Sequence, residues 1–174
     1  MAAVTRAQGQ AERLPATRLR PSERELLGQL YPALRRFAAV VGPIEIDPDD
    51  LVQDAVVGAL GRRRLDEYSD LGAYLRRSVL SLAANERRRF GRRRRALSRI
   101  APPTAEHLPS YPSDLPDLVA LAPESRAVLY LAEVEGWSYL EIATLLGTTE
   151  DAARTRASRA RAQLRRQLTA DLEV

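Results

Sequence analysis

Apolar residues along this chain recur at three- and four-residue intervals, and each such run predicts a helix. From Ser22, the positions Leu26, Leu27, Leu30, Leu34, Phe37 and Val41 form one buried stripe. Ser22, with Glu25 three residues on, predicts its start. Gly42-Pro43 predicts its end, and Pro32 within the stripe predicts a kink or a second segment. Asp47-Pro48-Asp49-Asp50 is a second start signal: a capping acid, a proline at the first helical position, and acids suited to the positive end of the helix dipole. That helix is expected to reach about Leu60. Leu51, Val52, Ala55, Val56 and Ala59 point inward, and Asp50, Gln53, Asp54 and Val57 lie on the other side. A longer helix follows from about Asp70 to Arg89 or beyond, on the stripe Leu71, Tyr74, Leu75, Val79 and Leu82. Periodicity then stops. Residues 98–115 carry prolines at 102, 103, 109 and 112 and read as a linker. Beyond it, Asp117–Glu135 predicts two helices split at Pro123.

The stretch 136–168 has the most specific pattern. Ser138 and Glu141 form a capping box for a helix over Ser138–Leu146, whose apolar positions Tyr139, Ile142, Leu145 and Leu146 share one face. Gly147 suits the left-handed residue after a helix end, and Thr148 or Thr149 caps the next helix. There, Ala153, Ala157, Ala160, Leu164 and Leu168 form a narrow stripe, small enough for close approach to a neighbour. The other faces carry Arg154, Thr155, Arg156, Ser158, Arg159, Arg161, Arg165 and Arg166, with no acid from 154 to 168. Two short helices about a tight turn, the second small-sided within and Arg/Thr/Ser-rich without, match a helix-turn-helix. The blander alternative is a solvated basic face, but such faces ordinarily mix signs.

Composition narrows the function. The net charge is only +4, but it is unevenly spread. Residues 44–54 hold five acids and no base, while residues 62–99 hold thirteen Arg against four acids. One acidic face and two basic segments suggest a protein partner and a polyanion. Seven Arg fall within residues 87–95, a density suited to sequence-independent phosphate binding. All 27 basic residues are Arg, which suits bidentate contacts but follows equally from GC-rich codons. There is no Cys, so disulfides and thiolate sites are excluded, and the single His107 leaves no metal-ligand set. No apolar run approaches a membrane span or a signal-peptide core, so a cytoplasmic protein without a membrane partner is expected.

Leu121-Ala-Pro-Glu-Ser-Arg126, Val134-Glu-Gly-Trp-Ser-Tyr139, Glu141-Ile-Ala143, Arg156 and Arg159-Ala-Arg161 together resemble the fourth conserved region of bacterial sigma factors, most closely the compact extracytoplasmic-function (ECF) class. The family usually opens its recognition helix with Gly-Thr-Val, where this chain has Asp151-Ala152-Ala153. Asp49-Asp-Leu-Val-Gln-Asp54 is similar to the family helix that docks on the clamp of the largest subunit of core RNA polymerase. Tyr74-Leu75 and Arg88-Arg89 resemble landmarks of the helix that faces the downstream promoter element, with Ser81 and Asn85 where the family usually has Asn and Asp.

The resemblance implies an all-α chain of two small domains. A mobile tail over 1–21 precedes a region 2-like bundle over 22–97; the Pro-rich linker over 98–115 leads to a region 4-like helix-turn-helix domain over 116–174. An extended eighteen-residue linker spans ~55 Å at ~3.1 Å per residue, against ~34 Å for one turn of DNA. The implied activity is non-enzymatic, with no cofactor and no metal: binding core polymerase and directing initiation at promoters. Asp50, Gln53 and Asp54 would meet the polymerase. Arg154, Thr155, Arg156, Ser158, Arg159 and Arg161 would meet the upstream element, and Arg77, Ser81, Asn85 and Arg88 the downstream one. Many relatives are also held by an anti-sigma protein, which a flexible linker permits. The competing reading is a helix-turn-helix regulator that never joins polymerase. A recombinase or nuclease would need a second carboxylate cluster or a positioned nucleophile, and neither is visible.

Overall fold

The computed structural model describes residues 19–97, 118 and 120–172. The expected tail, apart from its last residues, and the expected Pro-rich linker lie outside them. The described residues are helical and contain no strand: α1 (Pro21–Val41), α2 (Pro48–Leu60), a 3-10 turn (Leu65–Glu67), α3 (Leu71–Leu97), α4 (Pro123–Glu133), α5 (Tyr139–Leu146) and α6 (Glu150–Leu172). Of the two helices expected over 117–135, only the second is described in full.

One expectation for α1 needs correction, and one of two alternatives is excluded. Its cap is Arg20 and not Ser22, because Pro21 takes the first helical position, where its fixed φ fits and its missing N–H costs nothing. Glu23, rather than Glu25, is then the third residue, and its carboxylate accepts the Arg20 N–H at 2.8 Å. Of the two outcomes Pro32 allowed, a second segment is excluded: α1 is continuous through it. The carbonyl that Pro32 leaves without a donor belongs to Gly28, an exposed residue that water can reach.

Helices α1–α3 enclose a core of Leu34, Phe37 and Val41 from α1, Leu51, Val52, Ala55 and Ala59 from α2, and Leu71, Leu75, Val79 and Ala83 from α3. Each fully buried Leu, Val or Phe contributes roughly 1.5–3 kcal/mol. Asp47 caps α2 as expected, accepting the Asp49 N–H at 2.8 Å. The second group packs Leu121, Val128 and Leu131 against Ile142 and Leu145, with the alanines 153, 157 and 160 of α6 closing over them. The apolar interior continues from one group into the other, where Phe37 and Tyr130 set their rings 6.2 Å apart. At the end of α1, Gly42 permits the close approach of α2. A Cβ there would stand 2.7 Å from the Ala38 carbonyl oxygen and 2.8 Å from a Leu51 methyl.

Candidate nucleic-acid interface

The helix-turn-helix is fixed by short-range chemistry. The Ser138 N–H donates to the Glu141 carboxylate at 2.8 Å, and the Glu141 N–H returns a bond to the Ser138 hydroxyl at 3.3 Å. The Ser138 hydroxyl and N–H together hold the Glu141 carboxyl below its ordinary pKa. Gly147 ends α5 in the left-handed region at φ 65°, ψ 41°, and Thr148 N–H closes on the Ala143 carbonyl at 3.0 Å. Of the two candidate caps, Thr149 serves α6, accepting the Ala152 N–H at 3.2 Å.

With Ala153, Ala157 and Ala160 buried, Arg154, Thr155, Arg156, Ser158 and Arg159 are exposed along the outer face of α6. Arg154 is braced by Glu150 at 2.6 Å and lies over the Tyr139 ring at 5.4 Å. Arg161 differs from its neighbours. Its guanidinium is held by Glu133 at 2.9 Å and by the Tyr139 hydroxyl at 2.6 Å, and these bonds raise its pKa further. It ties α6 to α4 and α5.

On α2, Asp50, Gln53, Asp54, Val57 and Gly58 form one exposed stripe, with Val57 67% exposed at its centre. Asp49 is turned aside: it accepts the Tyr31 hydroxyl at 2.9 Å and Arg35 Nε at 2.8 Å. The hydrogen bond to Asp49, with burial second, raises the Tyr31 pKa. Arg77, Ser81, Asn85 and Arg88 line one exposed face of α3, four, four and three residues apart. Arg77 is engaged across the seam, donating to the carbonyls of Leu145 at 2.7 Å and Thr144 at 2.8 Å. Tyr68 and Tyr74 pack against each other with ring centroids 4.5 Å apart, and the Tyr68 hydroxyl donates to the Ala59 carbonyl at 3.0 Å. Both are half-buried packing residues rather than presented stacking surfaces.

Among the described residues, three buried charges escaped the sequence reading: Glu23, Arg76 and Arg126. Glu23 is fully buried and accepts the N–H groups of Arg20 and Leu65 and the Arg64 guanidinium. Burial alone would raise its pKa, but the two backbone bonds and Arg64 outweigh that and hold it below the ordinary value. Arg126 is 3% exposed; burial, and secondarily the nearby Arg87, lower its pKa to about 10, so it is still a cation at neutral pH. Its one sequence clue is register, three and four residues before the buried Leu129 and Tyr130.

Residues 26–95 match the family model for sigma-70 region 2, and residues 118–164 that for sigma-70 region 4. The RNA polymerase sigma-E factor of Streptomyces coelicolor is 34% identical over 156 residues, covering 82% of this chain and 84% of the relative. The chain belongs to the RNA polymerase sigma factors. Its class is the extracytoplasmic-function one, to which the similar protein SigM of Mycobacterium tuberculosis also belongs, at 27% identity over 83% of this chain and 76% of that protein. Among solved structures, the sigma factor RpoE of Bartonella quintana, in complex with the anti-sigma factor NepR, is similar with a TM-score of 0.64 and 26% identity. That match covers 86% of this chain and 98% of RpoE. As an ECF sigma factor, the protein binds core RNA polymerase and directs promoter-specific initiation of transcription. No helix among the described residues is long and apolar enough to cross a membrane.

Proposed function

We propose that this sigma factor docks on the clamp of the polymerase's largest subunit through Asp50, Gln53 and Asp54, with Val57 as the apolar centre of the patch. Charged groups around an apolar centre are the ordinary build of a protein interface. The helix α6 enters the major groove of the upstream (−35) element with Arg154, Thr155, Arg156, Ser158 and Arg159. Arg161 supports that helix from behind, held by Glu133 and Tyr139, and meets DNA through phosphate alone. The α3 face of Arg77, Ser81, Asn85 and Arg88 takes the downstream (−10) element, where the strands part. The protein does no covalent chemistry, acts in the bacterial cytoplasm, and is held inactive by an anti-sigma protein, as RpoE of Bartonella quintana is bound by NepR.

The observation that carries this reading is the sorting of charge between two exposed faces. On α2, Asp49 is spent internally while Asp50 and Asp54 are left outward; on α6, five Arg, Thr and Ser side chains are left outward. Run-off transcription with purified core polymerase tests it. Asp54→Arg is expected to abolish core binding and initiation while leaving the fold and DNA affinity unchanged. Loss of DNA affinity along with core binding would refute the separation of the two faces.

A further inference from the structure

Two acids open α6, and the structure uses them differently. Glu150 braces Arg154 at 2.6 Å. Asp151 is exposed and, among the described residues, has no hydrogen bond or ion pair. Arg156 and Arg159 are exposed and unpaired in the same sense, so the Asp151 carboxylate is not spent on a cation of its own helix. Its direction follows from the helix geometry. At ~100° per residue, Asp151 and Thr155 lie within ~30° of the direction opposite the buried alanines 153, 157 and 160. Arg159 lies ~50° from that direction, Arg154 ~90° and Arg156 ~110°. In the first turn of α6, the side chain aimed most squarely away from the protein is therefore an acid.

The second helix of a helix-turn-helix meets base edges with its N-terminal residues. Phosphates flank the groove, and a carboxylate placed between them weakens binding to every sequence unless a base supplies a donor. An ionised carboxylate only accepts hydrogen bonds. In the major groove guanine shows two acceptors, and thymine an acceptor and a methyl group. Adenine sets its amino group beside the N7 acceptor, which repels the second carboxylate oxygen; cytosine offers an amino group without that neighbour. We propose that Asp151 is a specificity residue for promoter recognition: it accepts a hydrogen bond from the N4 amino group of one cytosine in the upstream element and disfavours the other three bases there. The inference rests on the entry of α6 into the major groove proposed above. The base edge lies against an open recess of about 450 Å³ lined by Asp151, Ala152, Thr155, Arg156 and Arg159, with Ser125 of α4 across it. The two arginines offset the repulsion between the carboxylate and the phosphates. The chain has Asp151-Ala152-Ala153 where the family usually has Gly-Thr-Val, so this preference is the chain's own.

Holoenzyme reconstituted from core polymerase and the full chain, given a promoter library randomised over the upstream element, tests the contact by sequencing of the bound duplexes. Wild type is expected to hold cytosine at one position over each other base by about tenfold, within the range of a good base contact. Asp151→Ala should flatten that position alone and tighten binding to duplexes of arbitrary sequence. Asp151→Asn should move the preference at the same position to adenine, since an amide both accepts from N6 and donates to N7. If Asp151 serves only the positive end of the helix dipole, both variants lower thermal stability and nothing else. Base preferences equal to wild type at every position therefore overturn the proposal. Arg159→Ala separates that failure from failure of the reading beneath it. A changed preference in Arg159→Ala, with none in the Asp151 variants, removes the cytosine contact alone. Unchanged preferences in all three, from holoenzyme that still initiates, remove α6 from the groove and the contact with it.

Discussion

Glu23→Leu isolates the buried charge on which the first three helices depend. The carboxylate is wholly inaccessible and joins the start of α1 to the 3-10 turn after α2, through Leu65 N–H at 3.1 Å and the Arg64 guanidinium. Leucine fills similar space but accepts nothing. Removing one partner of a buried ion pair costs about 3–5 kcal/mol, and stranding a buried N–H costs about 1–3. These do not simply add. The Arg64 side chain is 23% exposed and can turn toward water, and so can the Arg20 N–H, since Arg20 is an exposed residue. The expected loss is therefore near the lower figure, about 3 kcal/mol, out of a typical total of about 5–15. For a domain of about 60–100 residues that lowers Tm by roughly 12–24 °C. Urea unfolding at pH 7 followed by circular dichroism measures it. Glu23→Gln, which keeps one acceptor oxygen, should lose about half as much.

The pH dependence has a definite sign. The folded Glu23 pKa lies below its ordinary value of 4.5, so between the two the unfolded chain takes up a proton that the folded chain refuses. The contribution is fully present above the ordinary carboxylate range and is lost as pH falls through the folded pKa. Wild type should thus lose stability on acidification more steeply than Glu23→Gln, and the gap between them should close in strong acid. A Glu23→Leu loss below about 1 kcal/mol with an unchanged m-value, or a gap that widens in acid, would refute the assignment of Glu23 as an ionised tie.

Further outcomes concern the helix-turn-helix. Gly147→Ala should cost about 1–2 kcal/mol from the left-handed backbone alone, since a Cβ there meets nothing within 4 Å, and Gly147→Asn should cost less; thermal unfolding of both variants measures the difference. Arg161→Met should lower stability by up to about 1 kcal/mol, the scale of an exposed pair, and leave base preference unchanged. Arg154→Ala should instead relax promoter preference by roughly 1–3 kcal/mol at one position, read by competition binding. If Arg161→Met alters base preference, its assignment as a support is wrong.

Features set by near neighbours could be read from the sequence. Asp47-Pro48, the Ser138/Glu141 box, Gly147 and Thr149 each act within four residues, and each is found as expected. The outward stripe of α2 and the alanine seam of α6 follow from periodicity, which needs only the helix itself. Ser22 misled because two start signals overlapped and the proline rule outweighed the hydroxyl one. Of the two outcomes Pro32 allowed, a second segment is excluded, because a lost hydrogen bond matters little where the freed carbonyl belongs to an exposed residue. Glu23, Arg76 and Arg126 were not legible. Their partners lie 41, 59 and 84 residues away at Arg64, Glu135 and Gly42, and apart from the register of Arg126 nothing local marks them as buried.

The absence of lysine has a structural consequence, whatever its origin in codon usage. Arg77 and Arg126 each send two N–H groups from one guanidinium to the carbonyls of consecutive residues, Thr144 with Leu145 and Val41 with Gly42. A planar fork does this with one set of torsions; an ammonium is a point charge with no fixed pair of directions. Arg126 accepts a penalty for it, since its buried Nε has no hydrogen-bond partner. Arg126→Lys therefore separates charge from geometry. It keeps the cation at the end of α1, relieves the unpartnered Nε and loses the fork. If the dipole alone made the contact useful, Arg126→Lys would be as stable as wild type in urea unfolding. If the paired carbonyl bonds matter, Arg126→Lys should be destabilised nearly as much as Arg126→Met, and that is the expected result. An Arg126→Lys protein as stable as wild type would mean that any cation at this position serves the end of α1.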